Sequence, residues 1–281
     1  MRQKISTTKI FISLALACAA GLSLASCAQA TSSITSPRYA LVYGIKDYSY
    51  RPLTYTVADA QSMRSVLLSS GVSSSNMIER EDAAVTKAQI KADILSLSSV
   101  SSDSTVTIYY SGHGTFVDSS WGSEFYPSFS GAYIVPYDAM GKSGPTPSTF
   151  LNLISPTELE NWITYIGTRN IIVILDCCNS GAYVDPGSSK DAIPSDNSKM
   201  PSYSAFATAM AKFGDLLVAN SSASGGKTPI VISAAGEMEY SYEGDENMGH
   251  GVFTYFLLDS ALKGDSDDDG VVTATEAYAY A

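Results

Sequence analysis

Ile171-Ile172-Val173-Ile174-Leu175-Asp176-Cys177-Cys178-Asn179-Ser180-Gly181 opens with consecutive large apolar residues, most of them β-branched, and then turns abruptly polar. Such a run is apolar on both faces and short, as expected of a strand covered on both sides. Thr105-Val106-Thr107-Ile108-Tyr109-Tyr110 reads the same way and ends at Ser111-Gly112-His113-Gly114. Tyr39-Ala40-Leu41-Val42-Tyr43-Gly44-Ile45 precedes them, and Pro229-Ile230-Val231-Ile232-Ser233 follows. Between the strands lie stretches of helical spacing. Leu53 to Leu68 ends at Ser69-Ser70-Gly71, and Thr86 to Leu97 is capped by Thr86, with Ile90, Ile94 and Leu97 on one face. Ser155-Pro156-Thr157-Glu158 is a helix start, and His250 to Leu262 a later helix. Strands alternating with helices imply an α/β fold with a mainly parallel sheet covered on both faces. Sites in such sheets form at the carboxyl ends of strands. Gly112-His113-Gly114 and Cys177-Cys178 both fall there. Thr115 to Thr149, rich in Gly, Ser, Pro and aromatics, and Ala182 to Ser204, rich in Ser, Asp and Pro, read as long irregular loops.

The 281 residues suit one large domain or two small ones, and 45% hydrophobic content is ample for a core. A formal charge of −11 excludes nucleic acid as a partner, because phosphate binding needs a positive surface. Arg2, Lys4 and Lys9 precede an apolar run from Ile10 to Leu24, the pattern of a secretory signal. Leu24-Ala25-Ser26-Cys27 resembles the lipobox of bacterial lipoproteins, which implies acylation of Cys27. The protein would then be a membrane-anchored lipoprotein of the bacterial cell envelope. Cleavage after Ala28-Gln29-Ala30 would instead release it as a secreted protein. Residues 1–26 are thus expected to be the signal, 27–37 a tether, 38–264 the main domain, and 265–281 a distinct acidic segment. Of four cysteines, Cys18 lies in the signal and Cys27 would carry lipid. The adjacent Cys177 and Cys178 cannot form an ordinary disulfide framework. They are either small buried core residues or chemically active thiols.

A thiolate at neutral pH needs a base beside it. Only two histidines exist. His113 follows a strand and sits between glycines, whereas His250 precedes a helix and is assigned to its start. Tyr110-Ser111-Gly112-His113-Gly114 and Asp176-Cys177-Cys178-Asn179-Ser180-Gly181 resemble the histidine and cysteine motifs of the caspase-like peptidases, closest to metacaspases. Asp176 stands where caspases carry Gln. The resemblance runs from about Arg38 to the C-terminus, including Ala40 to Ile45 and Gly251-Val252-Phe253-Thr254.

It implies the caspase-like fold, a mostly parallel six-stranded sheet sandwiched between helices. It also implies a cysteine endopeptidase with Cys178 as nucleophile, His113 as acid and base, and an oxyanion hole from the N–H groups of Gly114 and Cys178. Cys177 should point into the core, since adjacent strand residues face opposite ways. Asp59 and Asp176 match the family's specificity carboxylates, so the expected partners are protein or peptide substrates with Arg or Lys at the cleaved position. Asp59 has an alternative reading as a cap of its own helix. Ser233 matches a position lining the substrate cleft. Lys190 and Lys199 lie where the family is often self-processed.

Asp265-Ser266-Asp267-Asp268-Asp269-Gly270-Val271-Val272-Thr273-Ala274-Thr275-Glu276 fits the twelve-residue calcium loop of an EF-hand. Expected Ca2+ ligands are Asp265, Asp267, Asp269, the Val271 carbonyl, Thr273 and Glu276, in a structural role at the start of an exit helix. The alternative is a solvated acidic turn. Metacaspases often carry another calcium site after the histidine. This loop offers only Asp118, Glu124 and Asp138, so that site is not expected. The rival readings of the chain are a non-catalytic, calcium-stabilised binding module on a caspase-like fold and a different acyl-transfer enzyme.

Overall fold

The computed structural model describes residues 11–12, 36–117, 131–142, 146–177, 229–234, 243–244, 246–263, 266 and 272–273. Its strands are β1 (Phe11–Ile12), β2 (Arg38–Gly44), β3 (Met77–Glu81), β4 (Thr105–Ser111), β5 (Gly114–Val117), β6 (Gly131–Ile134), β7 (Asn170–Asp176), β8 (Ile230–Ser233) and β9 (Val272–Thr273). Its helices are α1 (Thr56–Ser69), α2 (Lys87–Ser96), α3 (Pro147–Phe150), α4 (Pro156–Ile163) and α5 (Val252–Lys263). None of them is long and apolar enough to cross a membrane.

β3, β2, β4, β7 and β8 lie side by side in that order, every neighbouring pair parallel. The sheet therefore has five strands among the described residues, against the six expected. Its two faces follow from strand alternation. Ala40, Val42, Tyr109, Ile172, Ile174 and Ile232 pack with α1 and α5. Leu41, Tyr43, Ile108, Tyr110, Ile171, Val173 and Leu175 pack with α2 and α4. This is the expected α/β sandwich.

Local signals explain the helices. The Thr86 hydroxyl accepts from the Gln89 N–H at the start of α2. Ser155 and Glu158 form a full capping box at the start of α4. α1 sits so close to β2 that a side chain on Gly44 would meet the Thr56 carbonyl and the Ala60 Cβ, at 2.6 and 2.7 Å. That contact seats the helix carrying Asp59. At the sheet's edge, Arg80 holds the buried Asp93 of α2 with two hydrogen bonds, at 2.6 and 2.8 Å.

Thr115 to Thr149 is not wholly irregular, as the sequence suggested. β5 and β6 pair as an antiparallel ribbon, and Tyr137–Ala139 and α3 are short helical turns. Each strand is only four residues long and begins at a glycine, which hides the pair from a periodicity reading. β1 and β9 form a separate two-residue antiparallel ladder, Phe11 opposite Thr273.

Candidate active site

The site is built at the carboxyl edge of β4 and β7. Ser111 pairs in register with Asp176, and the Gly112 N–H donates to the Asp176 carbonyl at 3.1 Å. The histidine loop is thus bonded to the strand end that leads into the cysteines.

His113 is buried, and a cage of tyrosines fixes it. Its N–H donates to the Tyr48 hydroxyl at 3.0 Å, and the two rings lie 4.6 Å apart. The hydroxyls of Tyr48 and Tyr110 both donate to the Val135 carbonyl, at 2.8 and 2.7 Å. A Cβ on Gly112 would come within 2.8 Å of both hydroxyls, so glycine is the residue this cage admits. His113 Nε2 lies 2.7 Å from the Arg51 carbonyl oxygen. A carbonyl can only accept, so Nε2 carries the proton and Nδ1 is the basic nitrogen of the neutral ring.

Arg51 has φ of 54°, in the left-handed region, where a side chain is strained. Pro52 follows and disfavours the right-handed helical alternative. Asp82 steadies this turn, its carboxylate accepting from the N–H groups of Lys46 and Asp47 at 2.7 and 2.8 Å.

Gly114 begins β5 opposite Ile134. The Val135 N–H bonds the His113 carbonyl, and Ile134 exchanges both of its hydrogen bonds with Ile154. Gly114 therefore occupies a non-hydrogen-bonded position of the β5–β6 ladder, and its N–H points away from β6.

On β7, Cys177 is fully buried and continues the face of Ile171, Val173 and Leu175. It is a core residue, as the alternation predicts. Asp176 faces the other way, towards α1 and α5. Its Oδ2 accepts from the Thr254 hydroxyl at 2.6 Å, and Thr254 also bonds the Tyr109 hydroxyl. Asp59 is buried on that same side. Its carboxylate accepts from the Ser111 hydroxyl at 3.2 Å and the Gly251 N–H at 3.1 Å, and lies 2.9 Å from His250 Nδ1. Asp59 does not cap its own helix; it meets the chain entering α5. Burial first, and the Asp176 carboxylate second, raise its pKa to about 8. Burial also lowers the pKa of His250.

The model of the caspase domain family matches residues 37–276. The chain belongs to the caspase domain family. No curated protein sequence matches it. Among solved structures, protein GSU0716 from Geobacter sulfurreducens is similar, with a TM-score of 0.50 and 19% identity. That match covers 81% of this chain and 83% of the other, and the likeness is one of fold.

Several expected site residues of this caspase-domain protein lie outside the described residues. These are Cys178, Cys27, Lys190 and Lys199, and, in the calcium loop, Asp265, Asp267, Asp269, Val271 and Glu276. Thr273 lies in β9, and Ser233 ends β8 beside Leu175. Of the acidic residues after the histidine, Asp138 accepts from the Lys87 N–H at 3.0 Å and so caps α2. Among the described residues, no three His, Cys, Asp or Glu side chains gather as a metal site. Sequence reasoning missed the Arg51 carbonyl, the tyrosine cage, Thr254 and the contact of His250 with Asp59. Pro52 was the one local sign of an unusual backbone at Arg51.

Proposed function

We propose that this caspase-domain protein is a cysteine endopeptidase cleaving after Arg or Lys. The observation carrying this reading is the hydrogen-bonded junction of the β4 and β7 ends, which sets the His113 loop beside the chain leading to Cys178, with the buried carboxylates of Asp59 and Asp176 meeting Ser111 and Thr254 at the same strand ends. Cys178 follows Cys177 by one peptide, and it takes the place of the nucleophile in the motif Asp176-Cys177-Cys178-Asn179-Ser180-Gly181.

In this reading the Cys178 thiolate attacks the scissile carbonyl carbon. The oxygen takes the negative charge, and the Gly114 N–H, turned away from its ladder, donates to it. The C–N bond breaks as the His113 imidazolium protonates the leaving amine from Nδ1. The Arg51 carbonyl meanwhile holds Nε2–H and so fixes the ring. Water, deprotonated by His113, then releases the acyl group from sulfur. Asp59 and Asp176 attract the basic side chain preceding the cleaved bond and repel an acidic one.

The test uses fluorogenic peptides ending in Arg, Lys or Asp with the mature protein. Release after Arg and Lys is expected. Preference for Asp would overturn the pocket, and inactivity on all three, before and after processing, would favour a binding module.

We further infer that the loop Asp265–Glu276 binds Ca2+, supported by its spacing of oxygen donors and Gly270 at the sixth position. Millimolar Ca2+ should raise the unfolding temperature by about 5–10 °C over the chelated protein. A scan insensitive to chelation contradicts this role. We infer also a lipid anchor at Cys27, supported by the basic and apolar residues before it. Cys27→Ser should move the protein from the membrane fraction to the soluble one; unchanged fractionation counts against acylation.

A further inference from the structure

Two carboxylates in one dry pocket repel each other, and an empty pocket needs some cation to relieve them. The groups facing Asp59 come from three elements. β4 presents the Ser111 hydroxyl, with Tyr109 nearby. β7 presents the Asp176 carboxylate, itself held by Thr254 of α5. The chain entering α5 presents the Gly251 N–H and the His250 imidazole, and Glu243 adds a more distant negative charge. Among the described residues, His250 is the only basic side chain bonded to Asp59. Asp59 is almost wholly buried, whereas His250 is 21% exposed and so lies on the solvent side of the carboxylate.

We propose that His250 is a specificity-determining residue of the basic-residue pocket: it shares one proton with Asp59 when the pocket is empty and loses that proton to solvent when a cationic side chain enters. The inference rests on the reading of Asp59 and Asp176 as that pocket.

The charge balance is simple. A neutral carboxylic acid beside neutral imidazole holds the same protons as a carboxylate beside imidazolium. Burial disfavours charge on both partners, so the pair is uncharged in sum and Asp176 is left as the net anion. A guanidinium brings a permanent positive charge. It favours the Asp59 carboxylate, and the shared proton departs, leaving neutral His250. By reciprocity, acid weakens binding of the cation by the factor through which the cation eases loss of the proton. A non-basic side chain leaves the shared proton in place, so the pair makes the preference for a cation rise as the proton is lost and fall in acid.

The experiment follows the imidazole nitrogens of the full mature chain carrying Cys178→Ala, which prevents self-cleavage. With two histidines in the sequence, His250→Gln assigns both signals. The titration runs from about pH 5 to pH 8 with and without argininamide. Saturating argininamide should lower the His250 midpoint by about one unit, a tenfold coupling. Asp59→Asn should remove the shift. Calorimetry near pH 7, in buffers of different ionisation heat, should show proton release on binding that His250→Gln reduces but does not abolish, because burial and Asp176 still favour the protonated Asp59; this second variant keeps the test sound if Asp59→Asn folds poorly. A His250 midpoint unmoved by bound argininamide, or proton release unchanged in His250→Gln, overturns the proposal. Absence of argininamide binding at any pH removes the pocket and this role together. Absence of peptide cleavage by the parent protein carrying Cys178, with binding and proton release intact in Cys178→Ala, would overturn the peptidase reading and leave His250 as described.

Discussion

Cys178→Ala should lower kcat/KM on an Arg peptide by about 10⁴-fold or more, whereas Cys177→Ala should leave it within severalfold of the parent. The two residues are neighbours in sequence, yet they are assigned different parts. Ile171, Val173, Leu175 and Cys177 form one continuous buried row against α2 and α4. Removing the Cys177 sulfur leaves a small void there, at a cost of about 1–2 kcal/mol read by denaturant unfolding. Removing the Cys178 sulfur deletes the atom proposed to attack, and the unfolding curve should hardly move. The two variants thus err in opposite measurements. If Cys177→Ala were inactive at full stability while Cys178→Ala still cleaved, the assignment of the nucleophile would be reversed.

Asp176→Asn should weaken cleavage after Arg by about 2–5 kcal/mol, or roughly thirtyfold to a few thousandfold. Asparagine keeps the shape of the side chain and an oxygen that can accept from the Thr254 hydroxyl. What it loses is the charge proposed to meet the guanidinium. The same change relieves repulsion with Asp59, so the unfolding temperature should stay level or rise. A variant that loses activity and stability together would point to a structural carboxylate instead. Equal loss on Arg and on uncharged peptides would deny it a part in specificity.

Much of this architecture was legible in the sequence because burial on both faces leaves a plain mark. β4 and β7 are apolar runs bounded by polar turns, and their ends carry the two motifs. Thr86 and Ser155 announce their helices by chemistry that acts within four residues. β3 was hidden because Met77-Ile78-Glu79-Arg80-Glu81 is an edge strand, half-buried throughout and mostly charged. The ribbon of β5 and β6 was hidden because its strands are four residues each and open on Gly114 and Gly131, too short for alternation to show.

At the site, His113 and Asp176 could be picked out by type and position. The carbonyl of Arg51 could not, because a backbone acceptor carries no side-chain signal and reaches His113 from 62 positions away. His250 was assigned to a helix start on local grounds. That is where it lies, but its partner Asp59 stands 191 positions earlier, a separation that no local pattern encodes.

The pairing of β7 with β8 has a consequence for a chain cut by proteolysis. Residues 172–175 lie alongside residues 230–233 in unbroken register, with four residue pairs and apolar side chains on both faces. The contact in space is made by the strands' own residues. A nick in the intervening stretch would show as two bands on a denaturing gel, yet the fragments would elute from a sizing column as one particle. The covalent chain and the cooperative unit of this protein need not coincide.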